Sequence, residues 1–361
     1  MKLQVTQENL ARALNSVARV ASSRNTLPIL SNVLIKTVGN RLCVAATDLN
    51  IAITHYIGTK ITDSGAITVP ARLMQDFVAS LPPGVIDITL EGTKLNIKTD
   101  RHNSTINGTT AEDFPIMPNI KNGTKWSLPA KDLKKALNQT AVAASNDEAR
   151  PVLTGVNFQT NNHQLFIVAT DGYRLAEKQS AQQKQEISLT VPASAANDLL
   201  RVIDDSGDEI QITSDEQQIL FSGNDIELTS RLIDGDYPDY KKLIPSKFTT
   251  EARASKSDLQ NTVKTSSLFA RESAGSIVLE VEDNKINIRS IASQLGENTA
   301  TSEAETTGGG QITLNARYMI DALSAIDGDK VFIGFNTKLE PLVIKGQDAD
   351  DYTHVIMPLK S

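Results

Sequence analysis

The sequence has little of what secreted proteins and many enzymes rely on. It contains one cysteine, Cys43, four histidines and one tryptophan, and aromatic residues make up only 4% of the chain. A single cysteine excludes an intrachain disulfide, and the apolar run LCVAA around it predicts a buried, unreactive thiol. The low aromatic content disfavours binding of single-stranded nucleic acid by base stacking.

Long apolar runs are also missing. No stretch of 18 apolar residues occurs, and the segment MKLQVTQENL lacks the apolar region of a secretion signal. We therefore expect a cytoplasmic protein that does not enter a membrane. Its 361 residues, 40% hydrophobic and 22% charged, suggest two or three globular domains, since a domain usually holds roughly 100–200 residues.

Patterns for metal binding and catalysis are absent as well. The histidines lie without metal-ligand spacing or a neighbouring nucleophile motif, and we expect them at the surface: His55, His102, His163 and His354. Acidic pairs such as Asp204-Asp205 and the segments DGDYPD, DGDK and DADD could hold a divalent cation, although such sequences are more typical of turns. No GKS or GKT follows the three glycines at 308–310, which argues against a phosphate loop. We predict no catalytic residue, no metal and no cofactor.

One unit is written into the chain three times. Four ordered features recur at steps of 122 to 126 residues. They are VTQENLARALNSV (5–17) with SLPAKDLKKALNQ and RASKSDLQNTVKT; Thr47-Asp48 with Thr170-Asp171; ITVPARLMQDFVASL with LTVPASAANDLLRVI and ITLNARYMIDALSAI; and Asp113-Phe114-Pro115 with Asp236-Tyr237-Pro238. We expect three homologous domains, at 1–121, 122–246 and 247–361, separated by turn-rich junctions.

Each unit reads as a helix, several strands, a second helix and several strands. Helical spacing predicts six helices, at about 7–20, 71–81, 130–144, 193–203, 255–269 and 315–326. Alternating runs such as DITLEGTKLNIKT indicate hairpins between them. The expected fold class is α+β, with two helices per domain packed on antiparallel sheets.

Positive charge concentrates on these helices. The six segments together carry a formal charge of +4 while the whole chain carries −7, so the remainder carries −11. Basic or amide side chains share a face on the first helix of each unit: Arg12, Ser16 and Arg19; Lys131, Lys134, Lys135 and Asn138; Lys256, Gln260 and Lys264. Any one face could simply be solvated, but three equivalent faces favour a shared surface that attracts a phosphate backbone.

Six segments resemble the bacterial DNA polymerase III beta subunit family across the whole chain: NTLPILSNVLI, TVPAR, RPVLTGVNF, VATDGYRLA, SRLIDGDYPDY and VIMPLK. The resemblance implies three clamp domains per chain and a head-to-tail dimeric ring that encircles duplex DNA without reading its sequence. It implies a non-catalytic processivity factor of the DNA polymerase III holoenzyme that tethers the replicative polymerase. Its implied protein partners are the polymerase alpha subunit, the clamp-loader delta subunit, translesion polymerases and mismatch-repair proteins, bound through linear motifs.

The resemblance also implies three sets of site residues. For DNA contact these are Arg24, Arg72, Arg150, Lys131, Lys134 and Lys135. For a peptide-binding groove they are Leu153, Thr170, Gly172, Tyr173, Arg174, Leu175, Pro238, Lys242, Leu243, Asn315, Tyr318, Leu339, Pro341, Val355, Met357, Pro358 and Leu359. For the dimer interface they are Ile106, Leu268 and Phe269.

The chain departs from the family pattern at three places. Ala274 stands where some members have an aromatic groove wall, and Pro151-Val152 where some have paired tyrosines. The interface strand NSTING has Ile106 as its only large apolar residue, which predicts a weaker or differently built ring closure. Two other classes stay open from the residues alone: a metal-dependent enzyme using the acidic turns, and a peptide-binding scaffold without a DNA role.

Overall fold

The computed structural model describes residues 1–21, 27–118, 120–204, 208–292 and 296–359, and its elements follow the repeat. The first repeat contains β1 (Lys2–Thr6), α1 (Gln7–Val17), β2 (Asn32–Val38), β3 (Arg41–Thr47), β4 (Ile51–Gly58), β5 (Lys60–Asp63), β6 (Ala66–Pro70), α2 (Ala71–Ser80), β7 (Val85–Glu91), β8 (Lys94–Lys98) and β9 (Asn103–Asn107). The second contains β10 (Thr124–Pro129), α3 (Ala130–Thr140), β11 (Gly155–Asn161), β12 (Gln164–Thr170), β13 (Arg174–Gln182), β14 (Ser188–Pro192), α4 (Ala193–Val202), β15 (Glu209–Ser214), β16 (Gln218–Ser222) and β17 (Ile226–Arg231). The third contains β18 (Thr250–Ser255), α5 (Lys256–Phe269), β19 (Ser276–Glu282), β20 (Lys285–Ala292), β21 (Gly296–Thr307), β22 (Gly310–Asn315), α6 (Ala316–Ala325), β23 (Lys330–Phe335), β24 (Leu342–Gly346) and β25 (Ala349–Ile356).

The six predicted helices and the α+β class with antiparallel sheets are confirmed in the part of the chain that the structure describes. One feature differs from the predicted order, because a strand precedes the first helix of every repeat. These strands, β1, β10 and β18, are short and alternate buried with exposed side chains. The predicted helix starts at about 7, 130 and 255 agree with the observed ones to within one residue. The strands in front of them were not predicted, because each is short and runs directly into its helix.

The apolar stripe on α1 accounts for the helix and for its packing. Leu10, Leu14 and Val17 recur at helical spacing and are fully buried. The Thr6 hydroxyl caps the helix by accepting a hydrogen bond from the Asn9 amide at 3.4 Å. Replacing Leu10 by alanine would cost about 2–5 kcal/mol, because the removed side chain leaves a cavity.

The described residues form two compact units. Unit 1 comprises Met1–Lys131 and Asp198–Leu232, and it holds a five-stranded sheet in the order β5-β1-β7-β8-β9. Its second sheet has eight strands, in the order β10-β15-β16-β17-β4-β3-β2-β6. The first and second repeats meet in that sheet, where β4 pairs antiparallel with β17 and Ile51 lies opposite Ser230. We call this pairing junction 1.

Unit 2 comprises Asp132–Asn197 and Ile233–Ser361 and contains a sheet of twelve strands. Their order is β14-β11-β12-β13-β25-β24-β23-β18-β21-β20-β19-β22. The second and third repeats meet where β13 pairs antiparallel with β25, and Arg174 lies opposite Ile356. We call this pairing junction 2. Beneath it lies a buried cluster of Val168, Leu175, Tyr240, Val343 and Val355.

Two predictions about single residue types have clear outcomes. Cys43 is buried beside Leu34 and Phe114, which confirms the predicted burial. This burial raises the pKa of its thiol to about 11 and so disfavours the reactive thiolate. The triple glycine is a turn: Gly308 has φ +70°, and a Cβ on it would lie 2.2 Å from the Thr249 carbonyl oxygen. The chain then enters β22, as the argument against a phosphate loop predicted.

Candidate functional site

Five of the predicted groove residues lie on a tight loop between β12 and β13 or at its ends: Thr170, Gly172, Tyr173, Arg174 and Leu175. The Thr170 hydroxyl donates to the Arg174 carbonyl at 2.6 Å and accepts from the Gly172 amide at 3.0 Å. The Asp171 carboxylate accepts from the amides of Tyr173 and Arg174 at 2.8 and 2.9 Å. Gly172 has φ +88°, a conformation that glycine adopts without strain. The sequence Thr-Asp-Gly therefore builds the loop through its own side chains.

Arg174 is the charged centre of this region. Its side chain is only 9% exposed and pairs with Asp171 at 3.2 Å and with Asp321 of α6 at 2.5 Å. Its guanidinium also lies 4.5 Å from the centre of the Tyr318 ring, a cation–π arrangement. A buried charge held by two carboxylates is costly to disrupt, since removing one partner leaves the others uncompensated. Arg174 thus fastens the loop of the second repeat to a helix of the third.

The C-terminal segment runs along the same loop. The Met357 amide donates to the Tyr173 carbonyl at 2.8 Å, and the Leu359 amide donates to the Thr313 carbonyl at 2.8 Å. These two hydrogen bonds hold Met357, Pro358 and Leu359 in a half-buried position beside the loop. The thioether of Met357 can adapt its shape to different apolar partners.

The apolar residues predicted for the groove divide into floor and rim. Leu175 and Val355 belong to the buried cluster at junction 2, as the floor of the predicted groove would require. Tyr173, Leu243 and Leu339 are 60%, 51% and 67% exposed, an unusual exposure for such large apolar side chains. The remaining predicted apolar members are Leu153, Pro238, Tyr318, Pro341, Met357, Pro358 and Leu359, which are partly or fully exposed.

Polar groove residues have local structural partners. Asn315 caps α6 by accepting a hydrogen bond from the Arg317 amide at 2.9 Å. Lys242 pairs with Asp239 at 3.0 Å on the open surface. Ala274 has φ +52° and precedes Gly275, whose carbonyl accepts from the Ala316 amide. The small side chain at 274 therefore sits in a left-handed turn close to the start of α6.

Two histidines contradict the expectation of surface positions. His354 is fully buried, and burial lowers its pKa to about 3. Its Nδ1 shares a hydrogen bond of 2.8 Å with the Tyr352 hydroxyl, which also lies 3.1 Å from the Gln139 carbonyl oxygen. His55 is 5% exposed, and burial lowers its pKa to about 4. Both lie on central strands, β4 and β25, which pair with a neighbour on each side. Most side chains around each histidine are buried, so its burial follows from its place in the sheet rather than from its polarity.

The predicted DNA-contact residues have different environments. Arg24 lies outside the described residues. Arg72 is on α2, and its side chain is 95% exposed at 3.9 Å from Asp76. Arg150 approaches the groove loop, since its guanidinium donates to the Asp171 carbonyl at 3.4 Å and to the Asp147 carboxylate. These two arginines remain accessible to a phosphate backbone.

Some basic side chains of the predicted helix faces make contacts within the protein. On α3, Lys131 is exposed and Lys134 half-buried, whereas Lys135 pairs with Asp327 at 2.7 Å. The hydrogen bond to Asp327 raises the pKa of Lys135. On α5, the Lys256 ammonium donates to the Ile326 carbonyl at 2.9 Å. Lys135 and Lys256, two of the basic residues that suggested a shared surface, therefore also bond to the segment after α6.

The predicted interface residues lie on one strand, β9, and at the end of one helix, α5. Among the described residues β9 pairs only with β8, so its outer edge is open. Ile106 is 5% exposed and packs into unit 1, because it points to the buried face of β9. In unit 2, residues 297–303 of β21 pair on one side with β20, and only residues 304–307 pair with β18. Leu268 is 53% exposed and Phe269 half-buried.

Two residues of the groove and interface regions were not predicted from the sequence, Asp321 and Ile291. Asp321 anchors Arg174, and its signal was available, because the second helix of each repeat carries an acid at this position: Asp76, Asp198 and Asp321. Ile291 is 65% exposed beside Ser273, whose hydroxyl donates to its carbonyl at 2.6 Å. Ile286, Ile288 and Ser290 of the same strand are buried, so alternation places residue 291 on the exposed face. An isoleucine at that position departs from the expected polar side chain, and this departure is visible in the sequence.

Among the residues that the structure describes, no cluster of three or more His, Cys, Asp or Glu side chains could hold a metal ion. Acidic side chains of the segments DGDYPD, DGDK and DADD pair with lysines instead: Asp239 with Lys242, Asp327 with Lys135, Asp350 with Lys345 and Asp351 with Lys178. Within the described ranges, none of the helices has the length and apolar character needed to cross a membrane.

Comparison with known families matches three models in order along the chain. They describe the DNA polymerase III beta subunit: its N-terminal domain at residues 1–118, its central domain at 127–239 and its C-terminal domain at 241–360. Similar curated proteins include the beta sliding clamps of Bacillus subtilis and Staphylococcus epidermidis. Each is 28% identical to this chain, and each alignment covers 100% of both proteins.

Solved structures agree with these relatives. The DNA polymerase sliding clamp of Bacillus subtilis superposes with a TM-score of 0.94 at 27% identity, covering 100% of this chain and 99% of the other. A sliding clamp from Pseudomonas aeruginosa, solved bound to griselimycin, gives a TM-score of 0.95 at 27% identity and covers 100% of both chains. The fold therefore extends over the whole length of proteins with known structures.

Proposed function

Because the chain belongs to the DNA polymerase III beta subunit family, the bacterial beta sliding clamps, we propose that two copies close head to tail into a ring around duplex DNA. The ring tethers the replicative polymerase and acts as a non-catalytic processivity factor. The observation that carries this conclusion is the threefold repeat. Each repeat supplies two helices and antiparallel strands, and the three family models follow one another along it.

Ring closure in this proposal joins the open edge of β9 in one copy to the open edge of β21 in the other. Leu268, Phe269 and Ile291 supply apolar surface near the second edge. Ile106 faces the core of its own chain, so it supports β9 rather than plugging the interface. The exposed side chains of β9, Asn103, Thr105 and Asn107, make its contribution polar. The interface thus combines strand pairing with an apolar patch from one side only.

DNA contact in this proposal is electrostatic and independent of sequence. It uses Arg24, Arg72, Arg150, Lys131, Lys134 and Lys135. Each phosphate neutralised releases counterions, so binding weakens steeply as salt increases. Since Lys135 also pairs with Asp327, we expect it to contribute less than Lys131.

Peptide docking uses the groove at junction 2. The exposed side chains of Tyr173, Leu243 and Leu339 receive apolar anchors above the floor of Leu175 and Val355. The ligands are linear motifs of the polymerase alpha subunit, the clamp-loader delta subunit, translesion polymerases and mismatch-repair proteins. We also propose domain boundaries at 1–121, 122–246 and 247–361, and a cytoplasmic location.

Sedimentation in solution tests the ring. The chain is expected to sediment at twice its mass of 39.1 kDa at micromolar concentration. Leu268→Asp together with Ile291→Asp places charge in the apolar patch and is expected to yield monomers. Leu243→Asp is the matched control, because it alters an equally exposed leucine away from the proposed interface and should leave the dimer intact. A wild-type chain that stays monomeric at this concentration argues against the ring.

A further inference from the structure

Unit 1 contains a cavity of about 290 Å³ at junction 1, where β4 pairs with β17. Its walls come from the loop after β3, from the segment around Pro115 and from the ends of β16 and β17. None of the predicted site residues lies in it. Its position in the first repeat corresponds to the position of the peptide groove in the second.

The loop that forms one wall reproduces the groove loop bond for bond. Thr47 corresponds to Thr170, and its hydroxyl donates to the Ile51 carbonyl at 2.8 Å and accepts from the Leu49 amide at 3.0 Å. Asp48 accepts from the amides of Asn50 and Ile51 at 2.9 and 2.8 Å. All four distances lie within 0.2 Å of those around Thr170 and Asp171. The two loops are therefore equivalent in geometry as well as in sequence.

The neighbouring strand is equivalent too. The Arg231 amide donates to the Asn50 carbonyl at 2.9 Å, as the Met357 amide donates to the Tyr173 carbonyl at 2.8 Å. By this register Arg231 occupies the place of Met357. Pro115 likewise occupies the place of Pro238, one of the predicted groove residues. The cavity is thus the groove's counterpart, built from the same parts of the repeat.

Two apolar side chains at the cavity are exposed without a structural reason. Leu49 has φ +77°, where its counterpart Gly172 has φ +88°, and the leucine is still 52% exposed. A bulky residue in this conformation is strained, and such strain is typical of functional positions. Ile116 is 96% exposed, although it also lines the cavity. Neither residue stabilises the core, so a role in contacting another molecule accounts for both.

The charge of the cavity differs from that of the groove. Among the described residues that line it, Arg231 is the only charged side chain, and it is exposed. In the groove, Arg174 is neutralised by Asp171 and Asp321, and Lys242 by Asp239. A ligand of the cavity therefore gains from a carboxylate opposite Arg231, whereas a ligand of the groove finds its cations already paired.

We propose that the cavity at junction 1 is a second docking site, which binds a short peptide segment of a partner protein through an apolar side chain followed by a carboxylate. Its volume is at the small end of the range of roughly 300–1,000 Å³ found for ligand pockets, so it holds one or two side chains. A cavity of this size gives a single short segment few contacts, so binding at this site is expected to be weak. The proposal goes beyond the clamp function and depends on it only for the class of ligand.

Methyl NMR of the full-length protein tests the site with a defined probe, the acetylated and amidated tripeptide Leu-Phe-Asp. Saturable shifts are expected at the methyl groups of Leu49 and Ile116. The matched tripeptide Leu-Phe-Asn, which lacks the carboxylate, should bind there about two- to fivefold more weakly. Arg231→Gln should lower the affinity for Leu-Phe-Asp to that for Leu-Phe-Asn. Equal affinity of the two tripeptides at Leu49, or no shift there, overturns the proposal.

A second variant separates lost binding from lost folding. Leu49→Gly gives the loop the residue of its counterpart and removes the apolar wall, so binding at Ile116 should fall about tenfold while other methyl signals keep their positions. Unchanged binding would also overturn the proposal. The methyl groups of Leu243 and Leu339 report on the groove separately. If their signals do not shift while those of Leu49 do, the result contradicts the proposed groove and supports the second site.

Discussion

Junctions 1 and 2 share a backbone and differ in what holds them together. At junction 2, Arg174 joins Asp171 and Asp321 across two repeats. At junction 1 the equivalent position is Ile51, 7% exposed, and the acid equivalent to Asp321 is Asp198. Asp198 pairs with Arg201 of its own helix at 2.8 Å, and burial raises its pKa. At this loop position one geometry thus supports a buried ion pair at junction 2 and a buried apolar side chain at junction 1. The ion pair between the repeats at junction 1, Arg41 with Asp225, lies on the surface instead.

This difference shows that the repeat specifies hydrogen bonding and that single substitutions then specialise each copy. The Thr-Asp loop needs only a hydroxyl and a carboxylate at fixed spacing, and both copies retain them. The next residues, Leu49 or Gly172 and Ile51 or Arg174, set exposure and charge. The two proposed sites therefore share one loop scaffold, and the proposal assigns them different ligand preferences.

Breaking the ionic junction gives the largest expected effect. Arg174→Ile converts this position to the residue at junction 1 and leaves Asp171 and Asp321 without their cation. We expect the free energy of unfolding of unit 2 to fall by about 3–5 kcal/mol, as measured by urea denaturation. Arg201→Ala, which removes the half-exposed partner of Asp198, should cost less than about 1 kcal/mol. Similar losses for both variants would mean that the junctions do not differ in this way.

Lowering the pH should destabilise the folded chain through the buried histidine at each junction. The destabilisation should level off at a different pH for each histidine. The folded pKa of His354 is about 3 and that of His55 about 4, both lowered from 6.5 mainly by burial. Below pH 6.5 each histidine is protonated in the unfolded chain but stays neutral in the folded chain. The free energy of unfolding therefore falls by about 1.4 kcal/mol per pH unit for each histidine. The loss attributable to His354 should reach roughly 2 kcal/mol at pH 5.

His354→Leu and His55→Leu separate these contributions. Each variant should reduce the dependence of unfolding free energy on pH between 6.5 and 4, when denaturant midpoints are compared across that range. The effect of His354 should continue about one pH unit below that of His55. A pH profile of His354→Leu that superimposes on that of the wild type would contradict the role of its burial.

The smallest effect concerns the loop residues with positive φ. Gly172→Ala should destabilise the chain by about 1 kcal/mol, because alanine resists a left-handed conformation and its Cβ would lie 3.2 Å from the Arg150 guanidinium. Leu49→Gly should stabilise by about 0.5 kcal/mol, since relief of strain outweighs the flexibility of glycine. Thermal unfolding of both variants measures these changes. Destabilisation by Leu49→Gly would show that the leucine contributes to folding.

Features written as local patterns could be predicted from the sequence. The leucines Leu10, Leu133 and Leu259 predicted three equivalent helices, and all three are buried in helices of the structure. Thr170 and Asp171 marked the groove loop because their side chains bond to amides two or three residues away. Such contacts depend only on the spacing of residues along the chain, which the sequence gives directly.

Features that depend on distant residues could not be predicted in the same way. Asp321, which pairs with Arg174, lies 147 residues further along the chain, and Lys135 pairs with Asp327 across a still longer separation. The burial of His354 depends on which strands flank β25, which the sequence does not state. Ile106 was placed at the interface by the family resemblance, and its burial on the inner face of β9 could not be read from the strand sequence alone. Tertiary pairing decides each of these cases.

Retention on DNA of different topology tests the central claim most directly. The protein is loaded by the clamp loader of its own source onto a nicked circular duplex, and the bound fraction is measured by gel filtration before and after a restriction enzyme linearises the circle. A ring held by topology stays on the circle and slides off the linear form. Equal retention on circular and linear DNA would contradict the proposal that this chain encircles its DNA.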